Sequence, residues 1–395
     1  MDVKRKGMSE KDVLERLRNY MIFRRSLRER VLHLINQMQS YNFIPEITRV
    51  AEDMDLHAST VWKFMHTLRN RGIWFRGIID VRRLGLVLRV YVIKKPGIGA
   101  RILRFSLRDE VKLLPTGAYL TYYVPASVDE EMTEVIESTL PENMVDLGRY
   151  EHLVVGRPDL LEYYDLDARG IRPAWDDLIK KVLNGVPEVP VTEKPRRGRF
   201  DEIDMFILRE LEADPFKSLK SIAAEINKEI GRRERISYIR VLRHYKSHIE
   251  ARNVIAGVRA KIDSLFDLDS LYLIIEVRGD RTGMLRLINA FLKHPYFLEA
   301  LATKDIEKAL LTAIVPMGEV ENLASSLMKL KEEGVIDEWA VHLGMRRGRK
   351  QYSVPYKIFS VTPDEVAAVY RAGGDIISNK IVESGEETTY SSLMI

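Results

Sequence analysis

The stretch DEIDMFILRELEADPFKSLKSIAAEI, residues 201–226, repeats an arrangement met earlier in the same chain. Ile203, Phe206 and Ile207 stand 172 positions after Val31, Leu34 and Ile35, and Leu219, Ile222 and Ala223 stand 172 after Ile47, Val50 and Ala51. Each set is apolar at helical spacing, so each predicts a pair of helices with one buried face. Further on, Leu242, Tyr245, Ile249 and Val254 stand 181 positions after Val61, Phe64, Leu68 and Ile73. They predict a third helix in each copy, closed by Gly72 in the first and Asn253 in the second, the two residue types that best take a left-handed cap. The two offsets differ by nine, which predicts a basic nine-residue insertion around Lys228 to Arg235, ahead of the second copy's third helix.

Three helices followed by a short strand make a winged helix-turn-helix pattern. Each is followed in turn by a strand-helix-strand-strand-helix-strand pattern, the order of a ferredoxin-like fold. In the second copy the strands are expected at Leu271–Val277, Phe297–Thr303, Ala309–Val315 and Val335–His342, and the helices at Met284–Leu292 and Val320–Glu333. In the first, strands at Leu86–Ile93, Val111–Leu114, Tyr119–Val124 and Asn143–Val155 and a helix at Asp129–Thr139 follow the same order, with the other helix eroded around Gly97–Phe105. The fold class expected is α+β: tandem winged helix-turn-helix domains, each followed by a ferredoxin-like βαββαβ domain. The boundaries read 1–25 basic extension, 26–80 first helical module, 81–156 first ferredoxin-like domain, 157–200 linker with a short helix, 201–258 second helical module, 259–344 second ferredoxin-like domain and 345–395 C-terminal extension. Covalent duplication predicts that the apolar strands Leu271–Val277 and Val87–Ile93 pair or stack within one chain.

The net charge of +4 conceals a segregation: residues 1–110 hold 23 Lys/Arg against 12 Asp/Glu, and residues 111–170 hold 4 against 12. Residues 201–261 hold 13 against 10, and 262–344 hold 8 against 14, so basic and acidic stretches alternate with the modules. Positive potential on both helical modules suits a polyanion. Cysteine is absent, which excludes thiolate nucleophiles, iron-sulfur clusters and Cys-type zinc sites. No stretch is long and apolar enough for a membrane span, and the start lacks the apolar core of a secretory signal, so no membrane partner and a cytoplasmic, nucleoid-associated location are expected.

The segment 201–226, ASTVWKFMHTLRNRGI at 58–73, and the pattern over 269–343 resemble the Lrp/AsnC family of transcription regulators, abundant in archaea. That family carries one such pair of domains per chain and dimerises, so this chain resembles a fused, internally asymmetric pseudo-dimer. The resemblance implies double-stranded DNA as partner, higher oligomers of the chain itself, and a small-molecule effector at the turn between the second and third ferredoxin strands, here Thr303 and Asp305.

The outward residues of the third helices are the expected DNA contacts. In the first copy these are Ser59, Thr60, Lys63, Thr67 and Asn70 for base edges, with Arg69, Arg71 and Arg76 for phosphates. In the second they are Arg232, Arg233, Arg235, Arg240, Arg243, His244 and Lys246, a dense basic face suited to phosphate. The two reading helices differ almost completely, so an asymmetric site is expected. The eight His show no metal-ligand motif, and His244 and His248 are expected to face phosphate. Neither a glycine-rich phosphate loop nor a nucleophile elbow occurs. The reading is therefore a sequence-dependent DNA-binding regulator, not an enzyme, with no metal, cofactor or catalytic residue. The alternatives are a siroheme-decarboxylase-like enzyme built on the same modules, or a non-specific architectural DNA-binding protein.

Overall fold

Helix α1 (Glu29–Ser40) buries Leu32, Leu34, Ile35 and Met38, and α2 (Ile47–Asp53) buries Ile47, Val50 and Ala51, as the 3.6-residue spacing requires. The computed structural model describes residues 29–70, 72–94, 102–167, 170–187, 199–229, 235–266 and 269–372. Helix α3 (Ala58–Asn70) completes the first module and leads into strand β1 (Trp74–Ile79). The second module has α6 (Glu202–Ala213), α7 (Leu219–Glu229), α8 (Tyr238–His244) and a strand, β7 (Ile255–Lys261); the helix α5 (Trp175–Asn184) precedes it. Asp201 caps α6 through a capping box with Asp204, and Ser237 caps α8 by accepting from Arg240 N.

The two modules interlock. β1 pairs with β7 antiparallel, α1 packs on β7, and α6 packs on β1, so each module's first helix covers the other module's strand. The crossings are close: a Cβ added to Gly77 would lie 2.5 Å from Leu211 O. Phe75 meets Phe216 edge-on across the same seam, with ring centroids 6.2 Å apart.

Apart from a short pair at Tyr164–Asp165 and Gly170–Ile171, the remaining strands form one antiparallel sheet. They are β2 (Leu86–Ile93), β3 (Leu107–Leu113), β4 (Ala118–Pro125), β5 (Met144–Tyr150), β6 (His152–Val155), β8 (Leu271–Arg278), β9 (Phe297–Ala302), β10 (Lys308–Val315) and β11 (Glu338–Gln351). Their order is β5-β2-β4-β3-β11-β8-β10-β9-β6, two four-stranded units with the same internal order plus β6. Helix α4 (Asp129–Thr139) covers the first unit, and α9 (Arg281–Phe291) and α10 (Val320–Glu332) belong to the second. Only Glu151 separates β5 from β6, yet these strands lie at opposite ends of the order, so the sheet must curl until its ends meet. The bond from Lys308 Nζ, on β10 near one end of the order, to Leu147 O of β5 at the other, 2.7 Å, helps close the curl.

Four expectations change, the first being that Asn143–Val155, expected as one strand, breaks at Glu151 into β5 and β6. Strands Leu271–Val277 and Val87–Ile93, expected to pair or stack, share one sheet without pairing; the units join through β3 and β11, where Lys350 faces Glu110 and Gln351 faces Asp109. The last strand runs to Gln351, because MRRGRKQ finds carboxylates on β3 where an apolar pattern would have been needed to announce it. The insertion in the second module is split. The helix starts Ala58 and Tyr238 lie 180 apart, whereas the left-handed caps Gly72 and Asn253 lie 181 apart. The ninth residue is absorbed inside the helix, in a π-helical turn at Tyr245–Glu250. A further helix, α11 (Pro363–Arg371), follows in the C-terminal segment.

Candidate functional site

Where β1, α6 and β7 face the curled sheet, they enclose a cavity with about 660 Å³ of empty space, mouth included. It is lined by Arg76, Gly77, Ile78 and Ile79 of β1, Glu212 of α6, Arg259 and Lys261 of β7, Asp263, and Arg108, Tyr123, Glu299, Arg349 and Gln351 of the sheet. Burying this many charges is costly unless they are paired, and the pairing is dense. Arg108 donates from Nη1 to Glu299 Oε1 at 2.9 Å and from Nη2 to Oε2 at 2.5 Å, and also contacts Asp109. Arg349 reaches Asp109 at 3.3 Å and stands over the Tyr272 ring, 5.0 Å from its centroid. Arg76 donates to Gln351 Oε1 at 2.6 Å and Glu212 Oε1 at 3.2 Å.

The set is nevertheless unbalanced. Five cations (Arg76, Arg108, Arg259, Lys261, Arg349) meet four carboxylates (Asp109, Glu212, Asp263, Glu299). The buried Nε atoms of Arg76, Arg108, Arg259 and Arg349 have no hydrogen-bond partner, nor has Glu212 Oε2. Burial lowers Lys261 to about 8 against the pull of Asp263, 3.6 Å away, and lowers Arg259 to about 10. Burial would raise Glu299, but Arg108 overrides it and holds the carboxyl at about 2. Glu212 is raised by burial, with Arg76 only partly offsetting it. Carboxylates pushed apart and a lysine brought near neutrality are the pattern of a proton-handling site.

Of the sequence-expected DNA contacts, Ser59, Lys63, Thr67, Asn70 and Arg69 are exposed and Thr60 half-buried on α3, with Arg69 3.6 Å from Asp214. Arg235, Arg240, Arg243 and Lys246 are exposed in the second module. Arg71, Arg232 and Arg233 lie outside the described residues. Two placements differ from expectation. Arg76 turns into the cavity, because β1 packs under α6 and Glu212 is there to pair it. His244 is buried against Asp204 at 2.9 Å, and His248 also bonds Asp204, so neither ring stands at an open phosphate-binding face. Thr303 donates to Asp305 Oδ1 at 2.5 Å and to Lys308 O at 3.2 Å, closing the turn on itself.

The cavity was missed because its residues come from β1, α6, β7 and five strands of the sheet, and no local spacing links them. A faint signal existed in Arg259 and Lys261, alternate positions on the same face of a strand otherwise apolar.

Among the described residues no helix is long and apolar enough to cross a membrane. Compared with protein-family models and with curated proteins, the chain matches none. Among solved structures it is similar to the siroheme decarboxylase NirDL, at 13% identity and a TM-score of 0.45 over 86% of this chain and 99% of that one. The same figures hold for NirDL in co-complex with an iron-uroporphyrin III analogue. Aspartate kinase from Synechocystis is more distant, at 10% identity and a TM-score of 0.29 over 78% of this chain and 51% of that one. Against the expectation that the chain is not an enzyme, the solved structures to which it is similar are those of enzymes.

Proposed function

We propose that the chain binds a carboxylate-bearing small molecule in the cationic cavity and performs proton-transfer chemistry on it, with decarboxylation as the reaction. The observation that supports this most is the excess of buried cations whose Nε atoms lack acceptors. A substrate carboxylate entering there would supply acceptors and remove the imbalance. In decarboxylation the bond to the carboxyl carbon breaks, its electron pair stays on the substrate carbon, and carbon dioxide leaves. Lys261, at about 8, is protonated at neutral pH and able to hand its proton to that carbon. Siroheme, a polycarboxylate, is the first substrate to try. Incubation of the full chain with siroheme is expected to release carbon dioxide, and Lys261→Met to abolish release while the pigment's bound spectrum persists. Absence of both release and a bound spectrum in the native chain would overturn the proposal.

A second reading rests on the exposed helix faces. Each helical module is read as a winged helix-turn-helix and each four-stranded unit as ferredoxin-like, in the manner of the Lrp/AsnC family, with double-stranded DNA as partner. Counted from the helix starts, Lys63 and Arg243 occupy equivalent exposed positions, and the half-buried Thr60 corresponds to the exposed Arg240. Trp62 is 51% exposed and Ile239 75%, apolar surface on the same helices that suits thymine methyl groups. On this reading Lys63→Ala relaxes sequence preference by about 1–3 kcal/mol at one base pair. Arg240→Ala with Arg243→Ala weakens binding to every duplex and reduces the salt slope by about 0.9 for each phosphate left without its cation. Titrations against matched and scrambled duplexes at several salt concentrations check this. Loss of discrimination confined to the arginine variant contradicts it.

A further inference from the structure

We infer that Asp204, His244 and His248 form a binding site for a divalent transition-metal ion of the zinc, cobalt or nickel class, clamping helix α8 to helix α6. His244 Nδ1 lies 2.9 Å from Asp204 Oδ1, and His248 Nδ1 lies 3.0 Å from the same oxygen and 2.9 Å from Oδ2. One ligand atom from each residue falls within 4.8 Å of the other two. Tetrahedral zinc with bonds of 2.0–2.2 Å sets its ligand atoms about 3.3 Å apart, so small side-chain shifts admit the ion. It would replace the protons now shared between imidazoles and carboxylate. Two imidazoles and one carboxylate suit this class of metal, whereas calcium and magnesium take oxygen. Asp201 Oδ1 stands 3.6 Å from His244 Nδ1 and adds negative charge, and its backbone N–H donates to Asp204 Oδ2 at 3.0 Å, orienting the carboxylate from behind.

The duplication supplies an internal control that a plain hydrogen-bonded cluster does not explain. At the offset of 172, Asp204 corresponds to Leu32, which is 1% exposed; counted from the helix starts, His244 corresponds to Phe64. The first module builds the same three-helix core from hydrocarbon at these two positions, so the fold does not require a carboxylate and an imidazole there. Asp204 is nonetheless 0% exposed. Its carboxylate is met there by the Asp201 N–H and the two imidazoles, which would become its fellow ligands. His248 lies within the π-helical turn, the place where the second module carries its extra residue, and such turns gather at functional sites. Arg240 and Arg243 are solvent-exposed, so water screens their charge from the ion.

The test uses the full chain, stripped with a chelator and titrated with Co²⁺ at neutral pH while its visible ligand-field absorption is followed, then with Zn²⁺ in competition. The expected result is an intense visible band that saturates at one Co²⁺ per chain and is bleached by Zn²⁺, with a zinc-dependent rise in melting temperature. His248→Ala, at a part-exposed position, is expected to weaken Co²⁺ binding by more than the roughly tenfold to hundredfold cost of losing a mere supporting partner. The double variant Asp204→Leu with His244→Phe copies the first module's residues, so it is expected to fold, to give no band and to melt at the same temperature with or without zinc. Absence of the band in the native chain, or an unchanged band in the double variant, overturns the proposal. None of these readouts depends on siroheme or DNA.

Discussion

Replacing Arg108 by methionine is expected to cost about 3 to 5 kcal/mol of folding free energy, the usual result of stranding a buried charge. Arg108 lies on β3 and Glu299 on β9, four places along in the sheet order, so their bond crosses the interior of the curled sheet. Their side chains are only 4% and 5% exposed, and water cannot replace the missing partner. Asp109 keeps Arg349, but Glu299 is left with little. Arg108→Met combined with Glu299→Leu is therefore expected to be more stable than Arg108→Met alone, since apolar groups of similar volume substitute for a buried pair at little cost. Acid distinguishes the variants further. Glu299 sits at about 2, below its unfolded value of about 4.3, so its contribution is full above about pH 4.3 and disappears as the pH falls toward 2. Without Arg108, burial raises the carboxyl above its unfolded value, and acidification through that range relieves the penalty. Urea denaturation midpoints measured from pH 7 downward check both claims. An additive double variant, or a parallel acid response in native and Arg108→Met chains, would contradict them.

The helices were legible because their burial is local: Leu34 and Ile35 on α1, and Phe206 and Ile207 on α6, are buried as their spacing says. The succession of strands and helices in the second unit was legible too, since apolar strands and amphipathic helices announce themselves by local periodicity. What joins the units was not legible. The β3–β11 seam depends on Lys350 facing Glu110 and Arg349 reaching Asp109, and a strand stabilised by charge lacks the alternating apolar signature. The π-turn was hidden as well, because a single offset of 181 fitted Tyr245, Ile249 and Val254, and Leu242 only by a one-residue slip from the buried Val241. Arg76 shows the same limit at the level of a site: exposed and buried arginines read alike until the packing of Glu212 over β1 is known. The cavity and the Asp204 cluster both arise from elements distant in sequence, and spacing rules carry no information about such meetings.

Alanine at Gly257 is expected to cost about 2 to 6 kcal/mol, combining backbone strain of about 1–3 with overpacking of about 1–3. Gly257 lies in β7 where α1 of the other module ends, and it has φ of +123°, a conformation that side chains rarely adopt. Its added Cβ would run into Tyr41 O and, at 2.8 Å, into Nη2 of Arg157, whose guanidinium donates to Gln39 O at 3.0 Å and Tyr41 O at 3.3 Å. Neither neighbour can yield: one is backbone, and the other is committed to the same crossing. Two further glycines separate the causes. Gly77 makes the mirror crossing in β1 against Leu211 O without a positive φ, so Gly77→Ala is expected to cost about 1–3 kcal/mol from overpacking alone. Gly85 has φ of +72° with nothing within 4 Å of an added Cβ, so Gly85→Ala is expected to cost about 1–2 kcal/mol from strain alone. Because the crossings hold the modules together and Gly77 also lines the cavity, the Gly257 and Gly77 variants are expected to loosen the cavity walls while the Gly85 variant leaves them intact. Hydrogen exchange of the β1 and β7 amides reports that difference, and urea midpoints report the energies. If Gly257→Ala is no worse than Gly85→Ala, the interlocked crossing does not hold the helical modules together.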